Sequence, residues 1–527
     1  MVFRGNESCG FAEESTLVAR VVHRRPCRID HGIGSTRRMT ASLSRIPAFA
    51  RFPVFLIAGV TGVLLLLASR NYGYSFDEAY FIIAGRDHPA WGYFDQPPLL
   101  PVLAALLDGL APGSLVVLRL PATLAAVGGI LVTALIAREL GGRRVAQGVA
   151  AGAAALSAMT VLSHYLATSS LDPFFWTLIV WLLVRWTRLH GEGADDDRLL
   201  LFAGLVTAVS LQTKFLVPAL WVAVAIGALA FGPRRLLGRP WLWGGWLIAT
   251  AATVPTLLWQ NANGWPYQRM TDVVAREFPG TGQFLWQALT GAGLVIGVPL
   301  AVFGLGRLLI ARSLQPYRYL GVAFVLLVVA FLVMSGRSYY VFGVYALPFA
   351  AGAVGLQDRE WHVSAKIVGA VLLVPSVLLT LVALPLYPKS WAERIPDSSL
   401  FPLTAKVFAH ADGMLRELSD AVVTVYWSLP AEKREHLTVM TDSYAFAADI
   451  QFVGSQQAFP IVYSPHRGYY YFGRPGDEST DVLFVGDPSP ELVEAFERRE
   501  ELVPGLMTVF SGRKKSWETL WPILRTQ

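Results

Sequence analysis

Apolar residues recur along this chain in runs close to the length of a membrane helix. Read in order, there are about eleven, near residues 52–69, 115–137, 145–162, 166–186, 199–212, 215–231, 241–259, 288–306, 319–335, 339–356 and 367–386. A hydrocarbon layer about 30 Å thick is crossed by roughly 20 apolar residues in a helix, so each run predicts a span. The fifth and sixth runs are short and separated only by Thr213 and Lys214. Fused into one broken helix, they would invert the topology of everything that follows. Loop charge argues for keeping them apart. Starting inside, alternate loops carry Arg138, Arg143 and Arg144, then Arg185, Arg188 and Arg198, then Arg234, Arg235 and Arg239, then Arg307, Arg312 and Arg318, then Arg359 and Lys366. Cytoplasmic loops retain such cations. Arg70 is a mild exception, and the odd count places the carboxyl-terminal part outside.

Composition agrees with the runs. Hydrophobic residues make up 54% of the 527 and charged ones 16%, with a mean hydropathy of +0.46, too apolar for a soluble globular chain of this size. The net charge of +6 comes from cations scattered over short loops, not from one basic stripe, so no nucleic-acid partner is expected. Residues 1–51 read as a disordered cytoplasmic segment, and both cysteines, Cys9 and Cys27, fall in it. No disulfide can then staple anything beyond. The preference for Arg, Ala and Gly suits a GC-rich bacterial genome and hence a multi-pass protein of the bacterial inner membrane. Residues 52–386 form the membrane part. From 387 to 527 charges return and strand and helix patterns alternate, as in HLTVMT (436–441), VLFVGD (482–487) and the amphipathic run 490–500, predicting a small extracytoplasmic α/β domain large enough for its own core.

The polar motifs concentrate on the loops assigned to the outside. In loop 70–114, Asp77 and Glu78 follow the first run by a few residues, where a carboxylate partly removed from water gains proton affinity and can serve as a general base. The same residues form S-x-x-E with Ser75, the signature of a helix capping box. Asp95, in Asp-Gln-Pro-Pro, reads equally as the cap of a short interfacial helix from Leu99 to Leu110, anchored by Trp91, Tyr93 and Phe94. Asp172 before Pro173 admits a capping role too. Lys214 and Arg337 admit snorkelling, and Tyr339 and Tyr340 an aromatic belt. Arg119, alone in the outer half of the second run, requires an anionic partner. Separately each residue has an ordinary explanation. Together they place acids, cations and aromatics on one face, the set needed to hold a phosphate while a hydroxyl is deprotonated. No P-loop, G-x-S-x-G or H-E-x-x-H pattern occurs.

FDEAY (76–80), GYFDQPPL (92–99), LDPFFW (171–176), TK (213–214), WQNANGWP (259–266) and GRSYYVFGVYALPFAAGA (336–353) resemble, in residues and in order, the bacterial C-type membrane glycosyltransferases related to protein O-mannosyltransferases and lipid A aminoarabinose transferases. The tail segments TDSYAFAADIQFVG, YSPHRGYYYFG and VLFVGD resemble the outer domain of actinobacterial members. The resemblance implies an inverting transfer of a sugar from a polyprenyl-phosphate donor to a lipid, glycan or protein acceptor outside the membrane. It implies Asp77 as catalytic acid of the first outer loop, either general base or acceptor-orienting group, with Glu78 beside it, Asp95 and Asp172 as further acids of the substrate site, and Lys214, Arg337, Tyr339 and Tyr340 around the donor phosphate. Gln96 stands where many relatives carry His, Arg337 where they carry Lys, and Asp442-Ser443-Tyr444-Ala445 where Asn-Tyr-Gly-Glu is usual. A divalent cation is left open and no nucleotide is expected. Readings from other classes are a transporter or flippase of a lipid-linked sugar, marked by inverted repeats that this chain lacks, and a non-catalytic envelope scaffold.

Overall fold

A computed structural model describes residues 46–357, 363–394 and 404–526. Most of the expected disordered segment, both cysteines and Arg359 lie outside the described residues. Every one of the apolar runs holds a helix. In chain order these are α1 (Arg51–Ala68), α2 (Phe76–Asp87), α3 (Leu99–Leu110), α4 (Leu115–Glu139), α5 (Arg144–Ala155), α6 (Ala158–Val161), α7 (Thr168–Gly191), α8 (Arg198–Leu211), α9 (Val217–Phe231), α10 (Pro240–Ala262), α11 (Pro266–Arg276), α12 (Thr281–Thr290), α13 (Gly297–Ile310), α14 (Arg318–Val333), α15 (Ala346–Gln357) and α16 (Val363–Ala383). Among the described residues, α1, α4, α10 and the stretch Arg312–Val333 are each long and apolar enough to cross a membrane. Two bent pairs meet the same measure jointly: α5 with Ala158–His164, at 51°, and Ser338–Val344 with α15, at 52°. Large apolar side chains point outward where water would penalise them, including Phe52, Phe55 and Val63 on α1 and Trp243, Leu247 and Leu258 on α10. A lipid solvent accounts for that surface.

The pair α8 and α9 decides the direction of everything after it. Asp197, at the start of α8, receives Nη1 of Arg239, at the start of α10, at 3.2 Å, while Gln212 at the end of α8 donates to the carbonyl of Ala252. Thus α8 and α10 run parallel, and α9 between them must run back. The two short runs are separate antiparallel helices. Their parallel neighbours cross closely because both carry glycine at the contact: a Cβ on Gly204 would lie 2.2 Å from the Cα of Gly245. Small residues at a crossing let helices gain dispersion contact where no hydrophobic drive exists.

The tail contains α17 (Lys389–Glu393), α18 (Thr404–Ser428), α19 (Ala431–Glu435), β1 (Leu437–Thr441), α20 (Tyr444–Gly454), β2 (Val462–Tyr463), β3 (Asp481–Val485), α21 (Pro490–Glu494), β4 (Phe496–Val503), β5 (Met507–Arg513) and α22 (Trp517–Leu524). The sheet order is β2-β1-β3-β5-β4, parallel from β2 to β3 and antiparallel beyond. HLTVMT and VLFVGD supply β1 and β3 as expected. The run 490–500 does not form one helix: it splits into α21 and the edge strand β4. Only Phe496 of its first residues is buried, and the charged stretch Glu497–Glu501 is exposed along the edge, where charge discourages further strand pairing. One sheet face holds a core of Phe484, Phe510, Trp517 and Trp521. The other face shares its core with the first outer loop, where Val439, Ala447, Ile450 and Leu483 pack with Tyr80, Ile83 and Leu100. The tail is therefore not self-contained on that side.

Candidate active site

Helix α2 starts at Ser75, whose N–H donates to Oε2 of Glu78 at 2.8 Å, the capping contact read from S-x-x-E. Because successive helical residues point about 100° apart, the adjacent acids face different surroundings. Glu78 turns inward and is fully buried. Arg119 of α4 donates Nε to its Oε1 at 2.9 Å and Nη2 to its Oε2 at 2.8 Å, and Leu166 N donates to Oε1 at 2.8 Å. The same guanidinium reaches the carbonyls of Ser69 at 3.2 Å and Gly73 at 2.6 Å. The anion that Arg119 requires is Glu78. Burial alone would raise the pKa of Glu78, but the Arg119 charge and these hydrogen bonds outweigh it and hold the carboxyl below its ordinary range.

Asp77 faces a cavity of about 450 Å³ at the end of the bundle where the tail docks. Its Oδ1 accepts the hydroxyl of Tyr444, the first residue of α20, at 2.9 Å. Burial raises the Asp77 pKa, while the Tyr444 hydrogen bond and the charges of Arg337 and Arg467 oppose that shift. Asp95 also lines the cavity, but it does not cap α3, whose first turn begins at Pro98 without a side-chain cap. Its Oδ1 accepts the Tyr80 hydroxyl at 3.0 Å instead. Tyr93 and Phe94 are buried and only Trp91 is exposed, so the aromatic cluster mostly packs inward. Tyr93 O accepts Nε2 of Gln260, from the WQNANGWP segment, at 2.9 Å.

Lys214, Arg337, Tyr339 and Tyr340 line the same cavity. Lys214, in the turn between α8 and α9, is only 8% exposed and does not snorkel. Its Nζ lies 3.5 Å from the Tyr339 hydroxyl and 4.3 Å from the centre of the Tyr340 ring. Arg337 donates Nη1 to Tyr339 at 3.2 Å. Asp172 sits in the second turn of α7, past the capping position, and accepts from Ser210 Oγ at 2.8 Å. It lines a small recess beneath the cavity together with Lys214, Tyr339 and Tyr340. Of the eight predicted site residues, six line the cavity, Asp172 lines the recess, and Glu78 faces neither.

Sequence reading missed Tyr444, Arg467 and Glu277. Arg467 lines the cavity from the tail, and Glu277, just after α11, joins it to Arg337: Oε1 accepts Arg467 Nη2 at 2.6 Å and Oε2 accepts Arg337 Nη2. The tail motif YSPHRGYYYFG was the available signal, since it contains Arg467. Among the described residues no three His, Cys, Asp or Glu side chains converge as metal ligands. A larger cleft, about 1270 Å³, opens between α1, α5, α13 and α16, but Leu56, Val149, Phe303 and Leu372 typify its walls and no charged side chain lines it. The titratable side chains gather at the smaller cavity.

Burial and the nearby Asp77 charge push Asp95 from an ordinary 3.8 up to about 7. A carboxyl that binds its proton more tightly when folded stabilises the fold below pH about 4 and loses that contribution as pH rises to about 7. The first outer loop is thus expected to resist proteolysis better at pH 5 than at pH 8. Asp95→Asn should remove most of the difference, and an unchanged difference would refute the assignment.

Residues 95–259 match the family described as dolichyl-phosphate-mannose-protein mannosyltransferase. No curated protein matches the chain. Among solved structures, ArnT from Cupriavidus metallidurans in the apo state superposes with a TM-score of 0.56 at 14% identity, covering 87% of this chain and 97% of that one. The same protein bound to undecaprenyl phosphate gives 0.53 at 14% identity over the same shares. At that identity the likeness speaks for the fold, while the matched segment carries the Asp95 loop, Asp172 and Lys214. Residues 95–259 thus carry a segment similar to that mannosyltransferase family, and the chain as a whole shares the fold of ArnT.

Proposed function

We propose that the protein transfers a sugar, with inversion, from a polyprenyl-phosphate donor to an acceptor hydroxyl on the outer side of the cytoplasmic membrane, with about eleven spans and the tail outside. One observation carries this reading: a single cavity is lined by Asp77 and also by Lys214 and Arg337. The acceptor oxygen attacks the anomeric carbon as its proton passes to Asp77. The carbon–oxygen bond to the donor phosphate breaks, and its electron pair leaves on the phosphate. Lys214 and Arg337 offset the charge that grows there, which favours the transition state over the bound donor. Tyr339 and Tyr340 hold the Lys214 ammonium in place by hydrogen bond and ring face. Asp172 fixes the floor, Asp95 adjoins Asp77, and Glu78 positions α2. Undecaprenyl phosphate bound to ArnT supports a lipid phosphate as the donor class. The acceptor can be lipid, glycan or protein.

The test uses full-length protein in liposomes supplied with a radiolabelled polyprenyl-phosphate sugar and an envelope extract as acceptor. Label should move to acceptor and free polyprenyl phosphate should accumulate in equal amount. Lys214→Met should lower kcat/KM for the donor about 100-fold or more, the scale of losing one preorganised charge contact at a leaving group. Movement of intact donor across the bilayer without cleavage would instead establish the transporter reading.

A further inference from the structure

Glu277 occupies an unusual place for a carboxylate. It lies at the cavity rim, 41% exposed, yet each of its oxygens is taken by a different arginine that lines the cavity, Arg337 from before α15 and Arg467 from the tail. A carboxylate shared between two guanidiniums has the shape and charge sign of a phosphate edge. Arg467 is built into this position at some cost. Its backbone is left-handed, with φ at 47°, a strained conformation for a residue with a side chain. Its N–H is pinned by the Thr526 carbonyl at 3.2 Å, and the Cα of the next residue, Gly468, sits so close to Tyr80 that a Cβ would fall 2.0 Å from the hydroxyl. Its guanidinium stands over the Tyr444 ring at 5.4 Å, and its buried Nε has no hydrogen-bond partner. An oriented guanidinium lining a cavity that already holds Lys214 and Arg337 is placed to meet an anion there as well as Glu277.

We propose that Arg467, contributed by the tail, is a ligand of the lipid-linked phosphate, and that Glu277 stands in for that phosphate between Arg467 and Arg337 until the lipid displaces it. This rests on the reading of the cavity as a lipid-phosphate site. Phosphate entry then exchanges one anion for another, so the two arginines never face each other uncompensated. The displaced Glu277 frees the segment between α11 and α12 from the tail, opening the rim on which both sit. Partial exposure makes the exchange cheap, because Glu277 regains water as it leaves.

Binding of undecaprenyl phosphate to the full chain in nanodiscs, followed by titration at fixed salt, tests the exchange. Glu277→Gln keeps the shape and removes the competing charge, and it should tighten binding about threefold to fivefold, the scale of a partly exposed ion pair. Arg467→Ala should weaken binding about tenfold or more and Arg467→Lys by less, as loss of a charge-assisted hydrogen bond predicts. Binding to Glu277→Gln that is no tighter than wild type overturns the stand-in role, and this rim variant keeps the test open even if Arg467→Ala disturbs the tail. Unchanged affinity in Arg467→Ala, with Arg337→Ala weakened, overturns Arg467 as a ligand. Unchanged affinity in Arg337→Ala defeats the underlying lipid-phosphate reading instead.

Discussion

Asp77→Asn is expected to abolish sugar transfer while the protein inserts and folds as before. The amide is nearly isosteric and can still accept the Tyr444 hydroxyl through its oxygen, so the junction of α2 and α20 keeps its hydrogen bond. It cannot take the acceptor proton. General-base assistance accounts for about 100-fold to 10,000-fold in rate, and the residual activity should fall within or below that window. The pH profile gives a second handle. Burial raises the Asp77 pKa, so wild-type rate should climb as pH rises through that raised value and flatten above it, where the base is ionised. The Asn variant should show no such limb. Turnover at the wild-type rate would remove Asp77 from the chemistry.

Glu78→Ala, one residue along, should fail in the opposite way, by loss of folded protein. The Glu78 carboxylate neutralises Arg119 in a place with almost no water, Arg119 being 2% exposed. Removing one partner of a buried pair strands the other charge at a cost of about 3–5 kcal/mol. Arg119 also gathers the carbonyls that follow α1, and Leu166 ahead of α7 donates to Glu78, so the loss spreads to three elements. Purified yield and thermal stability in detergent measure it. Arg119→Met alone should be as damaging as Glu78→Ala, whereas Glu78→Leu combined with Arg119→Met, which leaves no orphaned charge, should recover part of the loss. Normal stability with impaired turnover in Glu78→Ala would give the residue a direct role in transfer.

These contrasting expectations show where sequence was legible. The helices followed from apolar run length, and the gathering of Asp77, Asp95, Lys214, Arg337, Tyr339 and Tyr340 followed from loop alternation, since residues at one end of a bundle are brought together whatever their separation along the chain. The different fates of Asp77 and Glu78 were not legible. Neighbouring acids are equivalent on paper and become distinct only when the helix turns one toward Arg119. Local signatures misled where a long-range partner prevailed: Asp95 and Asp172 have the look of caps, but Tyr80 and Ser210 hold them. The tail motifs that hold Tyr444 and Arg467 were visible, but their place at the cavity was not, because no periodic pattern links the tail to a loop hundreds of residues earlier. Phe496 and the charges after it were read as a helix face because an edge strand with one polar side can mimic amphipathicity over so short a run.

The apolar core that α2 and α3 share with α18, α20 and the inner sheet face bears on how this chain can be recombined with others of its fold. Exchanging only residues 404–526 for a relative's tail would leave Tyr80, Ile83 and Leu100 facing a neighbour they were not shaped for and would take Tyr444 away from Asp77. The transplantable cassette is discontinuous: carrying residues 76–110 with the tail keeps their shared core and the Asp77–Tyr444 contact together, while Arg467–Glu277 and Arg119–Glu78 still cross the seam and need matching partners.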